Sequence, residues 1–172
     1  VEDNKILNRK VSEEVKEDKK AKTLFQGIAF RLDDAVYAMD VMTIQEIIFA
    51  NKIYRVPNTS EALLGVLNLR GNILPVYSLK QVLGMEDRLR GRILIHDEEK
   101  YIVMIKKDKD VFGIMIDAIH KNLSATEDNF RTGKYLDRWS RNNIFSGVIL
   151  DGDKEILAIQ VENLLKYIIG MK

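Results

Sequence analysis

From Leu24 to Leu32 the side chains alternate. Leu24, Ile28, Phe30 and Leu32 share one face with Gln26, and Phe25, Gly27, Ala29 and Arg31 share the other. A period of two predicts a strand. Asp33-Asp34 reads as a turn and Ala35 to Val41 as the returning strand of a hairpin. Over Thr43 to Tyr54 the apolar positions Ile44, Ile47, Ile48 and Phe49 would also fit a helix face, but β-branched enrichment favours a strand. Val56-Pro57-Asn58-Thr59-Ser60 ends that run, and Ser60 predicts the cap of a short helix, Glu61 to Leu67. Ile73 to Leu79 reads as a strand again. Pro75 has no N–H to donate, so this strand is expected at an edge or a bulge.

Lys80 to Gly84 predicts a single helical turn. Arg92 to His96, Tyr101 to Ile105 and Val111 to Ile119 read as three strands, with turns at Asp97-Glu98-Glu99 and Lys107-Asp108-Lys109-Asp110. Their spacing predicts an antiparallel meander. Asn122 to Asn143 lacks periodicity and reads as a long irregular loop carrying the lone Trp139. Gly147 to Leu150 and Glu155 to Val161 flank Asp151-Gly152-Asp153, a hairpin signal. Glu162 to Ile169 closes as an amphipathic helix with Leu164, Leu165, Ile168 and Ile169 on one stripe. Many short strands with frequent turns predict an all-β barrel or sandwich.

Ahead of these elements, residues 1–23 are mostly charged. Ile6, Leu7, Val11 and Val15 have a weakly helical spacing there, so the segment reads as a flexible arm before a domain spanning 24–172. The chain's 172 residues bound it to one domain or two small intertwined lobes. It has 27 basic and 26 acidic residues; the arm holds 7 and 6, leaving 20 of each on the remainder. That balance argues against a nucleic-acid binder, which normally carries a basic excess. There is no cysteine, which excludes disulfides, thiolate metal sites and a cysteine nucleophile. No apolar run approaches the roughly 20 residues of a membrane span, so direct membrane insertion is not expected, and a cytoplasmic location is.

Catalytic constellations are missing. The two histidines, His96 and His120, have no nucleophile or ligand partner at a useful spacing. No phosphate-cradling glycine loop occurs, and paired carboxylates such as Asp33-Asp34 sit in turns. The expectation is no enzyme, no catalytic residue, no metal and no cofactor. Arg131, Lys134, Tyr135, Arg138, Trp139 and Arg141 interleave cations with aromatics. They support an alternative reading as a small barrel binding single-stranded nucleic acid.

The most distinctive stretch is Gly65-Val66-Leu67-Asn68-Leu69-Arg70-Gly71, followed by the proline-containing run to Leu79. Gly65 and Gly71 mark positive φ or close approach, and they bracket an arginine set to be presented. Together with Ala38-Met39-Asp40-Val41, Gln45-Glu46-Ile47, Val56-Pro57-Asn58-Thr59, Phe112 to Asp117 and Ser146-Gly147-Val148, this segment resembles the CheW family over roughly residues 24–169. Members couple chemoreceptors to the histidine kinase CheA. The resemblance implies two intertwined five-stranded SH3-like barrels with short helices, a C-terminal helix and a groove between the barrels. It also implies two partners, with recruitment to membrane-bound receptor arrays. The receptor's cytoplasmic tip would meet Ile44, Gly65 and Arg70. The regulatory domain of CheA would meet Val41 and Glu46, with Arg131 at a second, ring-closing contact. A related array component that binds receptors without activating kinase is a further alternative. Ser78 departs from the aspartate common in the family. Tyr101 to Asp110 and Thr132 to Asn142 look longer or more polar than usual.

Overall fold

The computed structural model describes residues 21–50, 52–85, 100–139 and 143–170. Strands β1 (Thr23–Leu32) and β2 (Ala35–Asp40) form the expected hairpin, and a 3-10 turn, Val41–Thr43, leads into β3 (Ile44–Phe49). Next come β4 (Leu63–Leu69), β5 (Asn72–Ser78) and the short helix α1 (Leu79–Val82). The second half holds β6 (Tyr101–Lys107), β7 (Asp110–Ile116), β8 (Ala118–Thr126), β9 (Phe130–Arg131), a 3-10 turn at Gly133–Leu136, β10 (Phe145–Asp151), β11 (Lys154–Ile159) and α2 (Val161–Gly170).

These strands make two sheets. One runs β8-β1-β2-β11-β10-β9, the other β3-β6-β7-β5-β4. The first is five-stranded apart from the two-residue β9. It is built from both ends of the chain, while the middle builds the second, so the two lobes are intertwined. Each sheet has one parallel pairing, β11 with β2 and β5 with β7.

The apolar pattern explains why both sheets are needed. Along β6, Ile102 and Met104 point into a cluster with Leu67, Leu74 and Val76, inside the second sheet. Val103 and Ile105 point the other way, into a larger cluster that joins the lobes. That shared core takes Phe30, Leu32 and Met39 from the first sheet, Phe112, Ile114 and Ile116 from the second, and Leu164 and Ile168 from α2. A strand buried on both faces reads as a continuous apolar run, as Tyr101 to Ile105 does. Each fully buried side chain of this size contributes roughly 1.5–3 kcal/mol.

Four sequence expectations change. Glu61 to Leu67 is not a helix: Glu61 and Ala62 turn, and Leu63–Leu69 is strand β4, because burial of alternate residues against β5 outweighs the capping signal at Ser60. β5 is not an edge strand, and of the two alternatives for Pro75 the bulge is the one met: the β4–β5 register shifts between Leu63 and Gly65, opposite Tyr77 and Val76, next to the proline. Val66 spends its N–H and C=O on Tyr54 (2.8 and 2.7 Å), so Pro75 opposite it turns its nitrogen away from β4. Pairing of β5 with β7 begins only at Val76, so no ladder bond is lost at the proline. Val111 to Ile119 is broken at Asp117, where the chain crosses from one sheet to the other, so the meander ends there. Asn122 to Thr126, five of the 22 residues of the expected long loop, is ordered as the end of β8, paired along β1. The expected strand at Arg92 to His96 and turn at Asp97-Glu98-Glu99 lie outside the described residues.

Candidate partner-binding face

Arg70 and Gly71 are the two central residues of the β4–β5 hairpin, between the paired Leu69 and Asn72. Both have positive φ, 52° and 85°. Two-residue hairpins favour that pattern because it matches strand twist, and they usually place Asn or Gly there. An arginine with left-handed backbone costs roughly 1 kcal/mol. The Asn68 side chain helps hold the turn, accepting a hydrogen bond from the Gly71 N–H at 2.9 Å.

From this turn the guanidinium reaches across to β3. Its Nη1 and Nη2 donate to Glu46 Oε1 and Oε2 at 3.2 and 3.1 Å. This is the bidentate fork that suits arginine. The Arg70 side chain remains 73% exposed and Glu46 27%. In water-facing surroundings such a pair adds little stability, so the arrangement presents charge more than it holds the fold. The two residues are 24 positions apart, and nothing local in the sequence signals their pairing.

Val41 is not in a strand but on the 3-10 turn. Asp40 caps that turn, accepting the Met42 N–H at 2.8 Å, and its carbonyl accepts the Thr43 hydroxyl at 2.7 Å. The cap leaves Val41 39% and Met42 88% exposed. Met42 was not singled out by sequence pattern, since one methionine between strands carries no periodic signal. Ile44 is half-buried against the shared core and pairs with Ile105. Gly65 is buried inside β4 at φ 150°, beside a register shift in the β4–β5 pairing. A Cβ there would stand 2.3 Å from the Tyr54 carbonyl oxygen. The close approach predicted at Gly65 is thus to the chain's own backbone. It sets Tyr54 directly opposite Val66, on the face that also carries Pro75 and the exposed Ile73.

Arg131 lies on β9 in the other lobe, separate from this face. Its guanidinium donates to the carbonyls of Glu127, Asp128 and Phe130 at 3.1, 2.8 and 3.3 Å. Nearby, Arg138 stacks over Trp139 and Tyr135 (4.1 and 4.9 Å to the ring centroids) and donates to Glu155 at 2.8 Å. The Tyr135 hydroxyl donates to the same carboxylate oxygen. Arg138 covers both rings and is itself paired with Glu155, and Tyr135 and Trp139 pack partly against the shared core, which disfavours them as platforms for stacked bases. Arg141 of the proposed cluster lies outside the described residues, and so does His96.

A second charged group ties the lobes at the β7–β8 crossover. Asp117 accepts the Asp33 N–H at 2.6 Å, Lys100 Nζ at 2.7 Å and Lys80 Nζ at 2.8 Å, and Lys80 also reaches Asp33 at 2.6 Å. Burial alone would push the Asp117 carboxyl up, but the backbone donor and the two ammonium groups outweigh it and hold it at about 2. Lys80 behaves conversely: burial opposes its charge, yet hydrogen bonds and attraction from Asp117 and Asp33 raise it above the usual lysine range. Ser78 Oγ, accepting the Gln81 N–H, caps the helix that carries Lys80.

Among the described residues no group of three or more His, Asp or Glu is placed to hold a metal ion. No described helix is long and apolar enough to cross a membrane.

A family model for the CheW-like domain matches residues 26–168. The chain is 26% identical over 146 residues to the chemotaxis protein CheW of Thermotoga maritima, covering 84% of this chain and 89% of that one. It is 28% identical over 144 residues to the CheW of Helicobacter pylori, covering 83% and 82%. Among solved structures, the scaffolding protein CheW of Thermoanaerobacter tengcongensis superposes with a TM-score of 0.66 at 24% identity, over 79% of this chain and 88% of that one. That likeness bears on the fold: β-rich, two sheets, few helices, consistent with a pair of SH3-like barrels. With the motif placed on a strained, presented hairpin and the family model spanning most of the length, the chain belongs to the CheW-like family of non-catalytic chemotaxis scaffold proteins.

Proposed function

We propose that this protein is the coupling adaptor between the cytoplasmic tip of a chemoreceptor and the regulatory domain of the kinase CheA, and passes receptor state to kinase activity. Its place is the cytoplasm, at receptor arrays, with residues 1–23 as an arm and 24–172 as the working domain. Ile44, Gly65 and Arg70 face the receptor. Val41 and Glu46 face the kinase, with Arg131 near a second contact. The observation that carries this reading is the Arg70–Glu46 pair. An arginine is held at a backbone cost and left largely exposed, and its partner belongs to the other contact. A receptor helix in the groove would gain apolar burial from Ile44 and register from the arginine fork. Gly65 acts at one remove, by letting the Tyr54 segment close against β4. Arg131 acts through the turn it organises. Because Arg70 and Glu46 bind each other, a partner that takes one releases the other, and the two contacts become thermodynamically linked.

A pull-down with two baits, a receptor cytoplasmic hairpin and a CheA regulatory domain from the same source, tests the reading. Capture by both is expected. Capture by the receptor alone would leave an array component without kinase contact, and capture by neither, from folded protein, would sink the adaptor role.

A further inference from the structure

The sequence holds six methionines and no cysteine, so its oxidisable sulfur is all thioether. Of the five methionines among the described residues, Met39, Met104 and Met115 are 5% exposed or less and lie in the apolar cores. Met85 is half-buried against the shared core, and its sulfur accepts the Tyr37 hydroxyl at 3.9 Å. Met42 differs from all of them: it is 88% exposed and belongs to none of the apolar clusters of the described residues.

The turn fixes it there. Asp40 Oδ1 accepts the Met42 N–H, the Asp40 carbonyl accepts the Thr43 hydroxyl, and the Ile44 N–H closes the turn on the Val41 carbonyl. Three hydrogen bonds thus hold the backbone on both sides of the residue. The side chain stands on that turn next to Val41, which is also exposed.

A thioether is a two-electron reductant. Its sulfur lone pair attacks one oxygen of hydrogen peroxide, the S=O bond forms, the O–O bond breaks, and the leaving hydroxide takes the proton of the transferred oxygen to become water. Sulfur is oxidised and the peroxide is reduced. Access decides which methionine reacts. The Met42 sulfur meets the oxidant directly, whereas the buried sulfurs meet it only when the fold opens. The product replaces a flexible apolar group with a polar, chiral one. In a contact that covers Val41 and Met42 together, the sulfoxide oxygen would be buried among apolar groups without a donor.

We propose that Met42 is a reversible oxidation site, and that its sulfoxide weakens the contact between the Val41–Thr43 turn and the regulatory domain of the kinase. The second half rests on the adaptor reading and the first half does not. The turn thereby makes the coupling sensitive to peroxide without any cysteine.

The test treats the full-length protein with hydrogen peroxide at neutral pH and follows it by peptide mass mapping. Met42 should gain one oxygen at least about tenfold faster than Met39, Met104 and Met115, and the two methionine sulfoxide reductases, one for each epimer, should remove it. Affinity for the CheA regulatory domain is then measured by titration calorimetry before and after treatment. The untreated chain should bind about fivefold or more tightly than the treated one. Met42→Leu keeps the other five methionines, and its ratio of affinities before and after peroxide should be one. Oxidation of Met42 no faster than of the three buried residues would overturn the site. Equal affinity before and after, or the same loss in Met42→Leu, would overturn its effect on binding and leave the adaptor reading standing. Absence of binding by the untreated protein would overturn the adaptor reading and that effect together, while the mapping still decides the oxidation site.

Discussion

Arg70, at a hairpin tip, and Arg131, on the two-residue strand β9, are both arginines beside tight turns, one in each lobe, yet the fold treats them differently. Arg131 is spent on three carbonyls of its own turn, within four residues in sequence. Arg70 sits on a hairpin that would form more cheaply with asparagine or glycine, and among the described residues its guanidinium bonds to Glu46, on a different strand. Arg131 is consumed in building its lobe; Arg70 is displayed by its lobe. Residue type alone could not separate these roles. What separates them is where the donors go, together with whether the backbone conformation is relaxed or forced.

The largest effect that would sharpen this contrast belongs to Gly65 and Gly71, which bracket Arg70. Gly65→Val would drive a Cβ into the Tyr54 carbonyl at 2.3 Å, at a φ that side chains rarely adopt. A loss on the order of 3 kcal/mol or outright failure to fold is expected in urea or thermal melts. Gly71→Ala meets open space and costs only its left-handed backbone, roughly 1 kcal/mol. Similar losses at the two positions would show that the hairpin tip, and not the Tyr54 contact, makes the motif's glycines necessary.

Next in size is the crossover carboxylate. Its folded pKa is depressed from 3.8 to about 2, so its stabilisation is present above pH 4 and fades as pH falls through 2. The depression corresponds to about 2 kcal/mol. Asp117→Asn should lower the urea midpoint at pH 7 by an equivalent amount and flatten the loss of stability between pH 4 and pH 2. An unchanged pH profile would mean that the Lys80 and Lys100 contacts contribute nothing to the joint between lobes.

The smallest effects test the two arginines directly. Arg131→Ala removes three hydrogen bonds from a turn and is expected to cost about 1 kcal/mol. Arg70→Ala should cost a few tenths at most, because its ion pair is exposed. The reverse order, measured by chemical denaturation, would make Arg70 the structural residue and remove the basis of the contrast.

Much of the fold was legible in the alternation of β1, the Asp-Gly-Asp turn before β11 and the stripe on α2. The misreadings share one cause: tertiary partners that local pattern cannot show. Glu61 to Leu67 reads as helical after Ser60 in local pattern, and only the pairing of Leu63–Leu69 with β5 makes it a strand. Asn122 to Thr126 looked irregular because β8, with exposed polar residues along most of its length, is held by β1 and not by an apolar face of its own. Pro75 suggests an edge or a bulge because the bridge between Tyr54 and Val66, twelve residues apart, leaves no local signal in the sequence. At the site, the Gly-x-x-x-x-Arg-Gly spacing pointed to the presented arginine. Its bidentate partner and the exposure of Met42 depend on strands meeting in space.

The central claim is that Arg70 and Glu46 form one linked recognition face. The measurement that tests it most directly is binding of the receptor hairpin and of the CheA regulatory domain to four proteins: wild type, Arg70→Glu, Glu46→Arg and the charge-swapped double variant. The account predicts that Arg70→Glu abolishes receptor binding with a native circular dichroism spectrum, and that Glu46→Arg weakens kinase binding. It also predicts that each single change disturbs the other partner through the unpaired charge, and that the double variant recovers part of that indirect loss. Undiminished receptor binding by Arg70→Glu, or single changes whose effects simply add in the double variant, would contradict it.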